Sequence, residues 1–281
     1  MLESTREAAI NLTEKIENRM NSVQNSKLYD LAESNWHDYK PNPENLTYDC
    51  IGIDSSYNST NIPGLDLGVV AVAAMNNIGE ILYENTEIAF NLQTSKIAQE
   101  LEAEAVFNVS SYNDLTLVDG SIYSAMTNEG AWKTYSKMRN TMLSGNIVFI
   151  SKTSTSKQLT GKSQDFADMF YYNATNHVGY SKPRIDFTYG VSKGILSCYV
   201  RLTPYAQILK LEMLADNSNS ELELEMILHN IIDNISGCLV NSYPYSLRIS
   251  HENVEIKKSD IEDIMTFFKL NVHERERGML K

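Results

Sequence analysis

Leu115-Thr116-Leu117-Val118-Asp119-Gly120-Ser121 is a short aliphatic and β-branched run that stops at a carboxylate. Such a run reads as a buried strand with Asp119 at its carboxyl end. Gly120 permits a tight exit, and Ser121 is suited to start a helix. Earlier in the chain, Cys50-Ile51-Gly52-Ile53-Asp54-Ser55-Ser56 follows the same pattern. Two strand-terminal aspartates, each followed by small residues, anchor the reading of everything around them.

Working outward, residues 49–54 form the first strand. Residues 55–66, rich in Ser, Asn, Pro and Gly, have the composition of a loop. Leu67 to Met75 is a second strand, Asn76-Asn77-Ile78-Gly79 a hairpin-type turn, and Ile81 to Ala89 a third strand. From Thr94 to Asn108 the period turns helical, with Ile97, Leu101 and Ala105 at four-residue steps. Glu100 and Glu104 share one face of that helix, and Glu102 points away from them. The strand at 115–119 follows, then a helix over Ser121–Leu143 and a strand over Ile147–Ser151. Strands joined by helices lie parallel through right-handed crossovers. The order β-β-β-α-β-α-β, a three-strand meander followed by parallel strands, is that of a ribonuclease H-like core. The expected fold class is therefore α/β, a mixed sheet with helices.

Residues 1–48 read as an N-terminal helical arm. Ile10, Leu12, Ile16, Met20, Val23 and Leu28 follow a helical repeat, and Pro41 and Pro43 punctuate its exit. Residues 49–281 form one domain, with the core at about 49–152 and a C-terminal elaboration. In that elaboration a short helix is expected over 163–171. Cys198–Leu202 and Ile208–Leu214 read as strands, and Glu221–Ile235, 245–255 and Asp260–Leu270 as C-terminal helices.

The chain has 281 residues, a hydrophobic content of 42% and a net charge of −12, ordinary for a globular protein except in its acidity. That charge excludes a generally basic nucleic-acid coat, so any contact with phosphates is local. Cys50, Cys198 and Cys238 form no Cys-x-x-Cys pair, which excludes a zinc knuckle or a disulfide framework by sequence. Glu3 and Glu7 stand where a signal peptide is basic and then apolar. The apolar run Val69–Met75 is far short of the ~20 residues of a membrane helix. No membrane association is expected, and the compartment is the cytoplasm. Phosphate loops of the Walker or dinucleotide type and a G-x-S-x-G elbow are missing, which argues against ATP hydrolysis and serine-hydrolase chemistry.

Asp54 and Asp119 become neighbours if their strands are adjacent. With a glutamate from the intervening helix they offer three hard oxygen ligands, the set that Mg²⁺ or Mn²⁺ prefers. Ions held there could drive phosphodiester cleavage by water. Lys152, directly after the strand 147–151, is placed to hold a phosphate. From Gly130 to Gln164 there is no Asp or Glu, yet Lys133, Lys137, Arg139, Lys152, Lys157 and Lys162 occur there. In so acidic a chain this is a candidate nucleic-acid face. Tyr135, Tyr171, Tyr172, Tyr180 and Tyr189 lie in or near it as candidates for base stacking. His251 follows Tyr243-Pro244 and suits metal ligation or proton transfer.

Together, Ile51-Gly52-Ile53-Asp54-Ser55-Ser56, Leu117-Val118-Asp119-Gly120-Ser121, Phe149-Ile150-Ser151-Lys152-Thr153-Ser154, Tyr199-Val200-Arg201-Leu202 and Tyr243-Pro244 with His251 resemble the ordered motifs of the NurA nucleases. The resemblance spans about residues 50–255. It implies a ribonuclease H-like fold, Mn²⁺-dependent (or Mg²⁺-dependent) degradation of DNA, a homodimer, and a HerA-like hexameric ATPase as partner in DNA end processing, mainly in archaea. Position by position it implies Asp54 and Asp119 as metal ligands and Lys152 and His251 as site residues. The family glutamate best matches Glu100, with Glu102 and Glu104 as alternatives. Tyr199 and Arg201 match a motif that is structural or DNA-facing. One departure stands out: the first motif usually reads Asp-Gly-Ser, and here it is Asp54-Ser55-Ser56. A non-catalytic accessory subunit that keeps the fold and binds the ATPase is the rival expectation.

Overall fold

A computed structural model describes Asn18 and residues 27–267 except 45–47, 63–64, 112–113, 160–165, 187–193 and 217–218. The elements begin with α1 (Lys27–Ser34), β1 (Trp36–Asp38), β2 (Asp49–Ile62), β3 (Leu65–Asn76), β4 (Ile81–Phe90) and α2 (Thr94–Val109). They continue with β5 (Asp114–Asp119), α3 (Ile122–Thr127), α4 (Glu129–Tyr135), α5 (Arg139–Leu143), β6 (Ile147–Ser151) and α6 (Asp168–Asn173). Then come β7 (Gly179–Ser181), β8 (Arg184–Asp186), β9 (Gly194–Arg201), β10 (Leu209–Ala215) and α7 (Glu221–Ser236). The last are β11 (Leu239–Val240), β12 (Tyr243–Pro244), α8 (Tyr245–Val254) and α9 (Lys258–Phe267). The chain divides into two compact units. One comprises Met1–Pro41, Ser151–Arg184 and Ser197–Leu211; the other comprises Asn42–Ile150, Ile185–Leu196 and Glu212–Lys281.

The second unit carries the expected core. Its strands run in the order β6-β5-β2-β3-β4. β2, β5 and β6 are parallel, while β3 is antiparallel to both β2 and β4. β5 and β6 are almost continuously apolar because both of their faces are covered. β4 is exposed along most of its length, as an edge strand is. The two faces of the long β2–β3 ribbon alternate with the two-residue period of a strand. Ile51, Ile53, Val70, Val72 and Ala74 pack with Ala98, Leu101 and Val106 of α2. Ala73 and Met75 pack with Val254 of α8, and Leu67 and Val69 with Ile261 of α9. Gly52 lets the α8 backbone come close: a β-carbon there would collide with Ser246 and Leu247. Ser250 Oγ then donates to Gly52 O at 2.7 Å.

Two local expectations are corrected. Residues 55–62 are not loop but the continuation of β2, paired with β3 through Ile62↔Leu65. Their Ser, Asn and Thr side chains look like turn residues, but the ladder is a backbone interaction and tolerates them on an exposed ribbon. Pairing with β5 ends at Ile53↔Val118, so Asp54 stands where the central partner stops, not at a strand terminus. The single helix expected over 121–143 is three short helices and a 3-10 turn at Ser136–Met138. Asn128 causes the first break. Its backbone is extended, and its Oδ1 accepts from Gly130 N and Ala131 N, capping α4. Ser121 caps α3 as expected, accepting from Tyr123 N at 3.3 Å. The C-terminal helices appear as α7, α8 and α9, and α7 opens with a reciprocal Ser220–Glu223 capping box.

In the first unit β1 pairs with β7, and β7 with β9. A small core of Trp36, Leu159, Tyr171, Tyr172, Tyr199 and Ile208 fills it. The helix expected over 163–171 is α6, at 168–173. Residues 1–17, 19–26 and 45–47 of the expected arm lie outside the described residues, and its described part corrects the expectation: α1 is followed by a strand, β1, held by backbone pairing to β7. Among the described residues no helix is long and apolar enough to cross a membrane.

Candidate active site

Parallel pairing of β2 with β5 brings the two aspartate-bearing strands side by side. Asp54 is buried, its side chain 8% exposed. Its Oδ1 accepts from Ser55 N at 2.8 Å, and its Oδ2 lies 2.7 Å from His251 Nδ1 on α8. Burial and the charge of Asp119 push the Asp54 carboxyl up to about 6, against the opposing influence of His251 and the Ser55 N–H. Beyond Asp119 the chain turns through Gly120 at φ +117°, a conformation that favours glycine. The turn is gripped from behind by the buried Glu212 of β10, which accepts from Ser121 Oγ at 2.6 Å and Ile122 N at 3.0 Å.

The glutamate that joins the aspartates is Glu102. Ser55 Oγ donates to its Oε1 at 2.5 Å. Burial and the charges of Asp54 and Asp119 raise its carboxyl to about 8, opposed by the Ser55 hydrogen bond. Glu100, the expected ligand, is turned elsewhere. Its carboxylate lies against Gly130 at the start of α4 and pairs with Lys96 at 3.8 Å. Glu104 is exposed near Tyr83. The helical period explains the difference: Ala98, Glu102 and Val106 form one ridge at four-residue steps, and both alanine and valine in it are buried against the sheet. A charge embedded in a ridge of small apolar residues was the signal available in the sequence. Tyr135, expected as a stacking candidate, and Tyr243, named only in the motif with Pro244, are further neighbours of the carboxylates. Burial raises both phenols, with the charges of Asp119 and Asp54 adding at Tyr243 and that of Glu102 at Tyr135. A cleft of about 240 Å³ opens here, lined in part by Ser55, Gln99, Glu102, Asp119 and Ser121.

The donor set is all-oxygen and hard, which fits Mg²⁺ or Mn²⁺. The raised proton affinities of Asp54 and Glu102 come from burial first and from neighbouring negative charge second, and a dication relieves the charge. Among the described residues no three ligating side chains stand converged on one ion position. Glu102 is held by Ser55, and one Asp54 oxygen by His251.

The remaining expected residues divide by unit. Lys133, Lys137 and Arg139 are exposed on the segment of α4 and α5 in the second unit, with the Lys137 ammonium 5.8 Å from the centre of the Phe107 ring. Lys152 and Lys157 belong to the first unit and are partly exposed; Lys162 and Tyr189 lie outside the described residues. Tyr199 and Arg201, expected to be structural or DNA-facing, are buried in the first unit, as a structural role requires. The Arg201 guanidinium donates to the carbonyls of Asn173, Thr175 and Ala206, so it braces a loop instead of meeting DNA. Tyr135, Tyr171, Tyr172 and Tyr180 are core residues too, not stacking platforms.

A mixed sheet of this order, with carboxylates gathered where β2 and β5 part, defines a ribonuclease H-like nuclease fold. The NurA nuclease from Sulfolobus solfataricus shares the fold over 98% of each chain, at 19% identity and a TM-score of 0.82. A NurA structure with manganese matches 92% of this chain and 98% of its own at 9% identity, with a TM-score of 0.58. Another, bound to dAMP and manganese, matches 92% and 95% at 11% identity, with a TM-score of 0.56. No protein of curated function matches in sequence. The NurA domain spans residues 48–256, and the chain belongs to the NurA family.

Proposed function

We propose that the protein is a divalent-metal-dependent deoxyribonuclease. The observation that carries this proposal is the gathering of Asp54, Glu102 and Asp119, whose mutual charge and burial call for a dication. These three carboxylates would hold Mn²⁺ or Mg²⁺, with His251 beside Asp54 as a further ligand or a proton carrier. A bound ion supplies activation of water and stabilisation of charge on a phosphate. The chain's own residues do the rest. His251 holds Asp54 through Nδ1, and its imidazole, 54% exposed, can exchange protons with the solvent side. Glu212 fixes the turn after Asp119. Lys133, Lys137 and Arg139 would track a DNA backbone; for Lys152, which belongs to the first unit, a phosphate-holding role rests on the family resemblance alone.

DNA is the substrate favoured by the family and by the dAMP bound in one of its structures. From the same family resemblance we take the working form to be a cytoplasmic homodimer acting with a HerA-like hexameric ATPase in DNA end processing. The exposed edge strand β4, with Ile81, Leu82, Ile88 and Phe90 about half exposed, supports a second copy as neighbour. The test is cleavage of 5′-labelled single- and double-stranded DNA in Mn²⁺. The wild type cleaves, EDTA stops it, and Asp119→Asn loses about 100-fold or more. Equal rates for the two proteins would contradict the site.

A further inference from the structure

The two aspartates that anchor the site are followed by different residues. Asp119 is followed by Gly120, whose positive φ turns the chain away. Asp54 is followed by Ser55, which stays in the extended ladder of β2, paired with Val72. Strand alternation then sends neighbouring side chains to opposite faces of the sheet. Gly52, Asp54 and Ser56 face the C-terminal segment: Gly52 meets the α8 backbone, Asp54 meets His251, and Ser56 Oγ accepts from Ile256 N in the link between α8 and α9. Ile53 and Ser55 meet α2 on the other face. Asp54 and Glu102 thus approach the site from opposite sides of the same strand.

Ser55 is the link between them. Its N–H donates to Asp54 Oδ1 at 2.8 Å, and its hydroxyl donates to Glu102 Oε1 at 2.5 Å. For the Glu102 carboxyl this is the one hydrogen bond among the described residues, and its charged neighbours are Asp54 and Asp119. A glutamate side chain has three free torsions, so its carboxyl needs a partner to stay in one place. The Ser55 hydroxyl is that partner and holds Glu102 in the rotamer that faces the aspartates. We infer that Ser55 is a positioning residue for the divalent-ion site, one that presets the Glu102 carboxylate beside Asp54 before the ion arrives. This inference rests on the metal-dependent reading of the site. It also gives the departure from Asp-Gly-Ser a purpose: a glycine at 55 would keep the N–H bond to Asp54 and lose the bond to Glu102. Outer partners of metal ligands commonly contribute 10–100-fold to ion affinity.

The experiment is calorimetric titration of metal-stripped protein with Mn²⁺, without DNA, on the wild type, Ser55→Ala, Ser55→Gly and Ser55→Thr. Thermal unfolding in EDTA confirms that each is folded. Ser55→Ala and Ser55→Gly are expected to bind Mn²⁺ about 10-fold or more weakly. The Mn²⁺ concentration for half-maximal cleavage should rise by a similar factor. Ser55→Thr keeps the hydroxyl and suits a strand, so it should restore most of the affinity. Wild-type affinity in folded Ser55→Ala, or a threonine variant as weak as the alanine one, would overturn the inference while leaving the nuclease proposal standing. A wild type that neither binds Mn²⁺ nor cleaves DNA would overturn both.

Discussion

His251 Nδ1 lies 2.7 Å from Asp54 Oδ2, tying helix α8 to strand β2 across 197 residues of sequence. The imidazole is the one partner that pulls the Asp54 proton affinity down through both a hydrogen bond and charge, against burial and Asp119. Removing it leaves only the Ser55 N–H to oppose the raising influences. In metal-free protein the Asp54 carboxyl is expected to titrate near about 6. In His251→Ala its midpoint should move higher. Carbon-detected NMR of the carboxyl signal measures this directly, and a midpoint that stays in place or falls would show that His251 does not hold Asp54.

The same crowding makes stability depend on pH. Asp54 and Glu102 are raised to about 6 and about 8, above their ordinary values of 3.8 and 4.5. A raised carboxyl keeps its proton longer in the folded state than in the unfolded one. Folding stability from these groups therefore falls as pH rises through the window from about 4 to about 8. In EDTA the melting temperature should decline across that window, and Glu102→Gln should flatten the upper part of it. Mn²⁺ added at pH 8 should restore stability by binding the folded state. A Tm in EDTA that climbs from pH 5 to pH 8 would contradict the carboxylate geometry.

Arg201 gives a contrasting prediction. Its guanidinium bonds the carbonyls of Asn173, Thr175 and Ala206, and the residue is 3% exposed. Arg201→Ala strands buried acceptors and should cost on the order of 3 kcal/mol of stability. The folded fraction should bind DNA as the wild type does. Denaturant unfolding and a DNA-binding isotherm separate the two effects; lost DNA affinity at undiminished stability would return Arg201 to the nucleic-acid face.

The exposed cations of α4 and α5 should behave in the opposite way. Replacing Lys133, Lys137 and Arg139 with alanine should leave the melting temperature nearly unchanged. Each residue that meets a phosphate should reduce the slope of log affinity against log salt by about 1. Binding measured from low to moderate salt, with catalysis blocked by EDTA, reads this out. A slope identical to that of the wild type would remove this surface from the DNA path.

Much of the fold was legible because it rests on uninterrupted apolar runs. The strands at 115–119 and 147–151 are buried on both faces, so nearly every residue in them is aliphatic, and their parallel order followed from the helices between them. What escaped was polar structure held by backbone pairing or capping. Ser56–Asn61 read as a loop, yet pair strand-fashion with β3, and Asn128 interrupts a helical pattern that looked continuous. At the site, Asp54 and Asp119 were visible as carboxylates ending apolar runs. Glu102 was obscured because three glutamates alternate along α2, and the pattern that separates them is the ridge Ala98–Glu102–Val106, not the spacing of the acids. Glu212 was hidden within an apolar strand, and nothing local in the sequence marks its bond to Ser121. Tyr199 and Arg201 carry polar groups that look exposed; long-range carbonyl acceptors on a loop bury the arginine.

The central claim is that Glu102, with Asp54 and Asp119, forms the reactive centre, and that Glu100 lies outside it. Mn²⁺-dependent cleavage of labelled DNA by Glu102→Gln and Glu100→Gln, measured side by side, tests it most directly. Glu102→Gln is expected to lose about 100-fold or more in rate, and Glu100→Gln to remain within a few-fold of the wild type. Full activity in Glu102→Gln, with activity lost in Glu100→Gln, would contradict the account.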